Sequence, residues 1–448
     1  MSGALAGDNA VPFAVPFRFM AVGALSLAGF WSALAFQPAW AVAPAAHPAV
    51  LALVHVLTLM FGAGVLMGAL HQLVPVLLVA KLHAPSWGGV TWAAATAGGV
   101  LIVTGFALGS RPSFLAVGGG LALLATTVLL ANLALTAAKA TRIDTVAATV
   151  LAAAVALWLT MMLGLLIALS RLLPALAPAF AAVRPLHLTL GLLAAFGLAI
   201  AAAGHRLLAM FVLSHGAPLR WLRLMAGAVA TAVIVSAAAA WLPAGVPRPW
   251  AGPAVTLAIT VAALAAVADV RAILVRRMRK RPDVAVSTFL LGAALALAPV
   301  VLLLLGRPHD AVASTLLGPV SLAIAGMLVK IVGFLAWQHR YAPQVGRDPA
   351  SAGGVPMLAD MTVPLLGRLT AAGLTVGAFA VILARLAAAA PRYAPASATL
   401  TLVRSGALVG AIAAWSLAAH LGWIVFGRHR SSHAVSVRDF AGAETGTS

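Results

Sequence analysis

Twelve long apolar runs, separated by short polar segments, constrain this chain more than any other feature of its sequence. The hydrocarbon core of a bilayer is about 30 Å thick, so a helix that crosses it needs about 20 consecutive apolar residues. With 63% hydrophobic and 8% charged residues, the chain carries more apolar surface than a soluble fold can bury. The sequence therefore predicts an all-α polytopic membrane protein.

The predicted spans form one transmembrane domain, 1–448, whose last part is a polar C-terminal tail, 427–448. The second and sixth spans exceed the bilayer thickness and are expected to tilt or protrude. The twelve spans cover 17–36, 48–80, 88–109, 113–136, 145–170, 184–213, 221–242, 250–276, 285–305, 313–338, 366–389 and 399–426.

The basic residues predict the orientation of these spans. Lys and Arg collect in cytoplasmic loops because they resist translocation. If both termini are cytoplasmic, 20 of the 28 basic residues fall inside and 8 outside. This bias predicts that both termini are cytoplasmic, and it explains the formal net charge of +19 without a nucleic-acid partner. The expected partner is the lipid bilayer, and the expected location is the bacterial inner membrane.

Carboxylates are rare in the spans, where ionisable side chains are costly and usually mark function. Only Asp269 falls within a span, and Arg271 and Arg276 are its expected partners. The other acidic residues, Asp283 and Asp310 among them, fall in predicted loops or tails. This scarcity counts against a carrier coupled to protons or sodium, because such carriers place a carboxylate or broken-helix carbonyls near the midplane.

Histidines are the main candidates for chemistry. The chain has no cysteine, which excludes disulfides, iron–sulfur ligation and thiolate metal sites. Imidazole is a common ligand of iron and copper, so histidine-rich, carboxylate-poor spans favour a haem or copper site. Polar packing or an interhelical hydrogen bond is the alternative for each of them. Six of the 12 histidines fall in or at the end of spans: His55 and His71 in the second, His187 and His205 in the sixth, His339 in the tenth and His420 in the twelfth.

Helix geometry predicts how these histidines face. His187 and His205 are 18 residues apart, five whole turns of a straight helix, so they are expected to share one face about 27 Å apart. His55 and His71 are 16 residues apart, about 160° from a whole number of turns, and are expected to face nearly opposite ways. A two-haem arrangement with facing histidine pairs therefore fits the second span only if that span bends, for example near Gly62.

Three short segments carry a family resemblance. His55 in the second span is followed by Thr58-Leu-Met-Phe-Gly and by Gln72-Leu-Val-Pro75, and the tenth span ends in Lys330-Ile-Val-Gly-Phe-Leu-Ala-Trp-Gln-His339-Arg-Tyr341. With twelve spans and a sixth-span histidine, the chain resembles the haem–copper oxidase subunit I superfamily, above all its divergent cytochrome-c-oxidase-subunit-I-like membrane proteins. The resemblance implies an oxidase-like helical bundle. It also implies that His55 binds a b-type haem and His187 a metal, copper in the superfamily.

The chain lacks several residues on which the chemistry of that superfamily depends. The span 221–242 has no histidine where a true oxidase has a pair, and 313–338 lacks the His-x-His haem pair. The only tyrosines, Tyr341 and Tyr393, fall in loops, and the only glutamate is Glu444 in the tail. The sequence therefore predicts a protein without a complete oxygen-reducing centre, and not a functional terminal oxidase.

Several further residues are candidates for cofactor contacts. His71, His205 and His339 are possible additional ligands at the inner part of their spans. Lys330 lies within the tenth span, where it is expected either to snorkel to the surface or to contact an anion, a haem propionate or a proton path. Arg404 and Arg385 fall near the outer face. Oxidases contact haem propionates with arginines on that side, so the resemblance implies that these two arginines bind propionates.

Two functions remain open at the level of sequence. The first is a membrane haem protein, with copper as an additional metal, that acts in electron transfer with a redox partner, in haem or metal handling, or in gas sensing. The second is a permease whose histidines line a polar path. Haem and metal content distinguishes the two.

Overall fold

The computed structural model confirms an all-helical membrane architecture. It describes residues 11–173, 175, 183–242, 246–347, 355–390, 395–429 and 431, with the backbone alone at 346 and 347. In this part of the chain, twelve helices are long and apolar enough to cross a membrane. They are α1 (Ala14–Phe36), α2 (Pro48–Leu78), α3 (Trp87–Ala107), α4 (Pro112–Ala137), α5 (Thr145–Leu169), α6 (Arg184–Phe211), α7 (Arg220–Trp241), α8 (Ala251–Val275), α9 (Val284–Leu304), α10 (Pro308–Val345), α11 (Pro364–Ala388) and α12 (Ala396–Phe426).

Each predicted span coincides with one of these helices. The bounds agree to within three residues except in α10, which begins at Pro308 and extends to Val345, beyond the predicted 313–338 at both ends. The prediction that Asp310 falls in a loop is wrong, because the helix starts earlier and Asp310 lies in the first turn of α10. Of the predicted tail 427–448, only 427–429 and 431 fall within the described residues.

The helices begin where local chemistry allows it. Proline occupies the first turn of α4 and α11, where its missing N–H has no partner to lose. The Asp144 side chain accepts a hydrogen bond from the Ala147 amide at 2.8 Å, and Asp283 accepts one from Val286 at 3.1 Å. These two carboxylates therefore cap the first turns of α5 and α9.

The two ends of the bundle differ in charge. We call the end that carries Lys81, Lys139 and the cluster from Arg276 to Arg281 the basic end, and the other the opposite end. The even number of helices brings the N-terminus of α1 and the C-terminus of α12 to the same, basic end. Helices α2, α6, α10 and α12 therefore run from the opposite end to the basic end.

Small residues allow the helices to approach closely. The first and last helices pack together, and the Trp31 ring of α1 fits against Gly410 of α12 and Gly377 of α11. A Cβ built on Gly410 would lie 2.5 Å from the Trp31 ring, so only glycine fits there. Helix α10 is the most enclosed of the twelve, with 72% of an apolar 18-residue stretch buried, against 28–50% in the others.

Three spans contain a π-helical segment, in which backbone bonding runs from i to i+5 and widens the turn. The segments are Val56–Ala63 in α2, Thr189–Gly197 in α6 and Leu316–Val320 in α10. Because such a turn holds more residues than an α-turn, angles calculated for straight helices do not apply across α2 or α6. The prediction that His187 and His205 share one face is accordingly wrong: they contact α5 and α8, respectively.

Candidate functional site

His55 lies in the first turns of α2, near the opposite end of the bundle. Its Nδ1 is 2.7 Å from the Leu51 carbonyl oxygen. Its ring stacks on Phe106 of α3 with centroids 4.8 Å apart, and the Arg171 guanidinium lies 5.9 Å from the centroid of the same phenyl ring. His55 is therefore fixed in orientation from two sides.

His187 lies in the first turn of α6, at the same end of the bundle. Its Nδ1 is 3.0 Å from the Thr160 carbonyl oxygen of α5. Gly164, one turn along α5, leaves room for the ring, since a Cβ there would lie 3.2 Å from His187 Cε1. The sequence of α5 thus provides both an acceptor for this imidazole and the space it occupies.

His55 and His187 lie at the same end of the bundle, where a charge on His55 or on Arg184 acts on His187. In each imidazole, Nδ1–H donates to a backbone carbonyl, which leaves the Nε2 lone pair as the acceptor. Neither Nε2 has a hydrogen-bond partner among the described residues. This is the arrangement in which metal-ligating histidines are usually held.

A π-helical segment begins directly after His55 and two residues after His187. Such segments are rare and occur frequently at functional sites. Sequence reasoning missed both, although the glycine at position 62 marked a place where α2 departs from a regular helix. The pairing of a fixed imidazole with a widened turn, found in both helices, makes this the candidate functional site.

His71 lies in α2 on the side of the basic end. Its Nδ1 is 2.7 Å from the Met67 carbonyl oxygen, and its ring stacks on Phe19 of α1 with centroids 5.6 Å apart. The side chain is fully buried, and its Nε2 has no partner among the described residues. The structure does not bring His71 to the pair of His55 and His187.

His205 forms a buried pair with Asp269 of α8. Both carboxylate oxygens lie 3.0 Å from His205 Nδ1, and the two residues are 8% and 5% exposed. The prediction that Asp269 pairs with Arg271 or Arg276 is therefore wrong. Those arginines follow on the same helix, whereas the imidazole of α6 reaches the carboxylate from the neighbouring helix.

Lys330 and His339 of α10 lie toward the basic end. The Lys330 ammonium donates to Asp283 at the start of α9 and lies 5.3 Å from the centroid of the Phe211 ring. His339 has Nδ1 3.0 Å from the Leu335 carbonyl oxygen and Nε2 3.2 Å from that of Val11. Both ring nitrogens of His339 thus face carbonyls, which leaves neither lone pair available to a metal.

The arginines proposed as propionate contacts differ from each other. Arg404 is exposed on α12. Arg385 Nε donates to Asp310 at 2.6 Å and its Nη1 donates to the Ala41 carbonyl oxygen at 2.5 Å. Arg307 Nε donates to the second Asp310 oxygen, also at 2.6 Å. Arg385 is therefore held by a carboxylate that the sequence placed in a loop.

The described residues include no group of three His, Asp or Glu side chains arranged to hold a metal ion. The structure brings together two of the predicted site residues, His55 and His187, and leaves His71, His205 and Lys330 elsewhere. What this pair offers chemically is two fixed, neutral nitrogen donors in apolar surroundings.

Comparison with known proteins adds no family assignment: neither a scan of family models nor a search of curated proteins found a match. Fold and site together define a polytopic α-helical membrane protein with a histidine pair between α2 and α6. The similarity to the haem–copper oxidase superfamily stays a prediction.

Proposed function

We propose that this chain is a membrane haem protein in which His55 and His187 supply imidazole ligands to iron. The observation that carries the proposal is the pair itself. Two histidines on helices far apart in sequence lie at the same end of the bundle, within reach of each other's charge, each with Nδ1 bonded to a carbonyl and Nε2 free. An imidazole held in this way has the tautomer that a metal requires.

The donor set suits haem iron. A porphyrin provides four equatorial nitrogens, and the protein adds one or two axial ligands, commonly histidine. Two imidazoles in an apolar environment match that need. Arg171 and Arg184 add positive charge near the site, which favours the anionic propionates of a haem. A copper ion at the same pair is the alternative occupant.

When bound, the haem would supply one-electron redox chemistry or a site for a small gas. The Leu51 and Thr160 carbonyl oxygens accept hydrogen bonds from the two Nδ1–H groups, which orients each ring and leaves Nε2 as the nitrogen with a free lone pair. Phe106 stacks on His55 and limits its rotation. In electron transfer, a redox partner would dock at the opposite end of the bundle, nearest to the pair.

We propose, from the resemblance of the three short segments, that the protein is a divergent relative of oxidase subunit I and resides in a bacterial inner membrane. The seventh span has no histidine and the tenth lacks a His-x-His pair, which argues for a role in electron transfer, haem or metal handling, or gas sensing.

Absorption spectroscopy tests the proposal. Protein purified from haem-replete cells is expected to show a Soret band that is lost in His55→Ala and weakened or shifted in His187→Ala, because each variant removes one imidazole that would hold the haem. His83→Ala serves as the matched control, since His83 lies in the loop after α2 and its ring packs on Trp87.

Elemental analysis of the same samples separates the two metals. Iron that disappears together with the Soret band supports haem. Copper without iron assigns the pair to copper and overturns the haem proposal, as does folded protein with neither metal.

A further inference from the structure

A long apolar cleft runs between helices α6 to α10. Its volume is about 410 Å³, within the range of small-molecule sites. Pro185 and Pro308 line it at the opposite end of the bundle, and His205 lines it toward the basic end. The interval from Pro185 to His205 corresponds to about 30 Å of helix, close to the thickness of a bilayer core.

The lining changes from apolar to polar along this length. Most of the wall consists of aliphatic and small side chains, including Leu192, Ile259 and Ala263. The His205–Asp269 pair lines the cleft close to the basic end. An occupant that matches this surface has a long apolar tail and a single polar headgroup.

The chemistry of the pair specifies that headgroup. His205 Nδ1 donates to Asp269, so Nε2 is a hydrogen-bond acceptor, and it has no partner among the described residues. The headgroup must therefore donate a hydrogen bond. It must also be uncharged or cationic, because the Asp269 carboxylate repels an anion.

Two aromatic side chains line the same end of the cleft. Phe289 of α9 packs on Gly204, whose Cβ would lie 2.7 Å from the Phe289 ring, and both residues line the cleft. Trp221 of α7 also lines it. Aromatic surfaces of this kind favour an aromatic ring in the headgroup.

We infer that this cleft binds a quinol-class lipophile, a hydroxylated aromatic ring on a long apolar tail, whose hydroxyl donates to His205 Nε2. The tail extends along α6 toward the opposite end of the bundle. This site involves neither His55 nor His187, so it does not depend on haem at that pair.

Equilibrium binding of a decyl-tailed benzoquinol, kept reduced, to the purified full chain tests the inference. Removing the acceptor in His205→Ala is expected to weaken binding about three- to tenfold, the range for loss of one hydrogen bond. Filling the tail region in Ala263→Trp is expected to weaken binding as well. His83→Ala, outside the cleft, is the control and is expected to bind as the wild type does.

Probe chemistry provides a test that does not depend on the folding of a variant. The dimethyl ether of the same quinol has no O–H to donate and is expected to bind the wild-type chain about three- to tenfold more weakly. Equal affinity for quinol and ether overturns the hydrogen bond to His205. Equal affinity for decanol overturns the aromatic headgroup and identifies the cleft as a site for acyl chains.

Discussion

At the scale of single residues, Asp310 is the most buried charged side chain among those described at the opposite end of the bundle. Its side chain is 7% exposed and its two oxygens accept hydrogen bonds from Arg307 and Arg385, each at 2.6 Å. A carboxylate in such a place is stable only because two guanidinium groups compensate its desolvation. The cluster joins α10 to α11 and, through the carbonyl of Ala41, to the segment between α1 and α2.

Removing this carboxylate is expected to be costly. Asp310→Ala leaves two arginines without their anion, and breaking a buried pair in this way costs about 3–5 kcal/mol. Asp144→Ala, which removes only a helix cap, is expected to cost about 0.5–2 kcal/mol. Unfolding of both variants in the same detergent measures the difference. Equal losses of stability would show that the Asp310 cluster contributes no more than a cap.

Pairs of charged or polar residues that lie far apart in the sequence could not be predicted from local spacing. His205 and Asp269 were both singled out, but their pairing was not predicted, because residues 64 positions apart meet only through helix packing. Local spacing favoured Arg271 and Arg276. For Asp310, the charge alone suggested a loop, because its partner Arg385 lies 75 positions away and meets it only through the packing of α10 on α11.

At the scale of elements, glycines determine how closely neighbouring helices approach. A Cβ on Gly326 of α10 would lie 2.5 Å from the Ala285 carbonyl oxygen of α9, and backbone cannot move aside easily. A Cβ on Gly227 of α7 would meet nothing within 4 Å. The two positions are both within helices and differ only in their neighbours.

Alanine at these two glycines is expected to act in opposite directions. Gly326→Ala overpacks the contact of α9 with α10 and is expected to destabilise the protein by about 1–3 kcal/mol. Gly227→Ala is expected to stabilise it by about 0.5–1 kcal/mol, because alanine loses less backbone freedom in a helix. Thermal unfolding of the two variants beside the wild type measures both effects. A stabilised Gly326→Ala variant would contradict the close approach of α9 and α10.

The π-helical segment of α2 sets the direction of His55 relative to the rest of its helix. Deleting Leu59 from Val56–Ala63 removes one residue from the widened stretch and is expected to rotate His55 by about 100°. The Soret band of the proposed haem site is then expected to disappear, whereas Leu59→Ala, which keeps the chain length, is expected to retain it. An unchanged band in the deletion variant would show that the widened turn does not orient His55.

Helix bounds were accessible from the sequence, and helix irregularities were not. The length of each apolar run fixes where a span begins and ends, because a bilayer penalises every polar residue inside it. A π-helical segment has no comparable signature, since Val56–Ala63 has the composition of an ordinary apolar helix. The shared face calculated for His187 and His205 failed for this reason, and the proximity of His55 to His187 was not foreseen.

At the scale of the whole molecule, the charge bias predicts which end of the bundle faces the cytoplasm. The chain has no native cysteine, so a single introduced cysteine reports its own position. Leu108, after α3, is exposed at the opposite end of the bundle. Ala138, after α4, is exposed at the basic end. In intact cells, a membrane-impermeant maleimide is expected to label Leu108→Cys but not Ala138→Cys, which becomes labelled only after lysis. Labelling in the reverse order would invert the predicted orientation.

The contact of α1 with α12 has a consequence for biosynthesis. Helix α1 is made first, but the glycines that receive Trp31 belong to α11 and α12, the last helices to be made. In a bilayer, Trp31 must therefore remain against lipid while the intervening spans are inserted. Closure of the bundle is a late event that requires the full chain, so a ribosome stalled before α11 leaves a membrane-inserted product in which Trp31 still lacks the glycines that receive it.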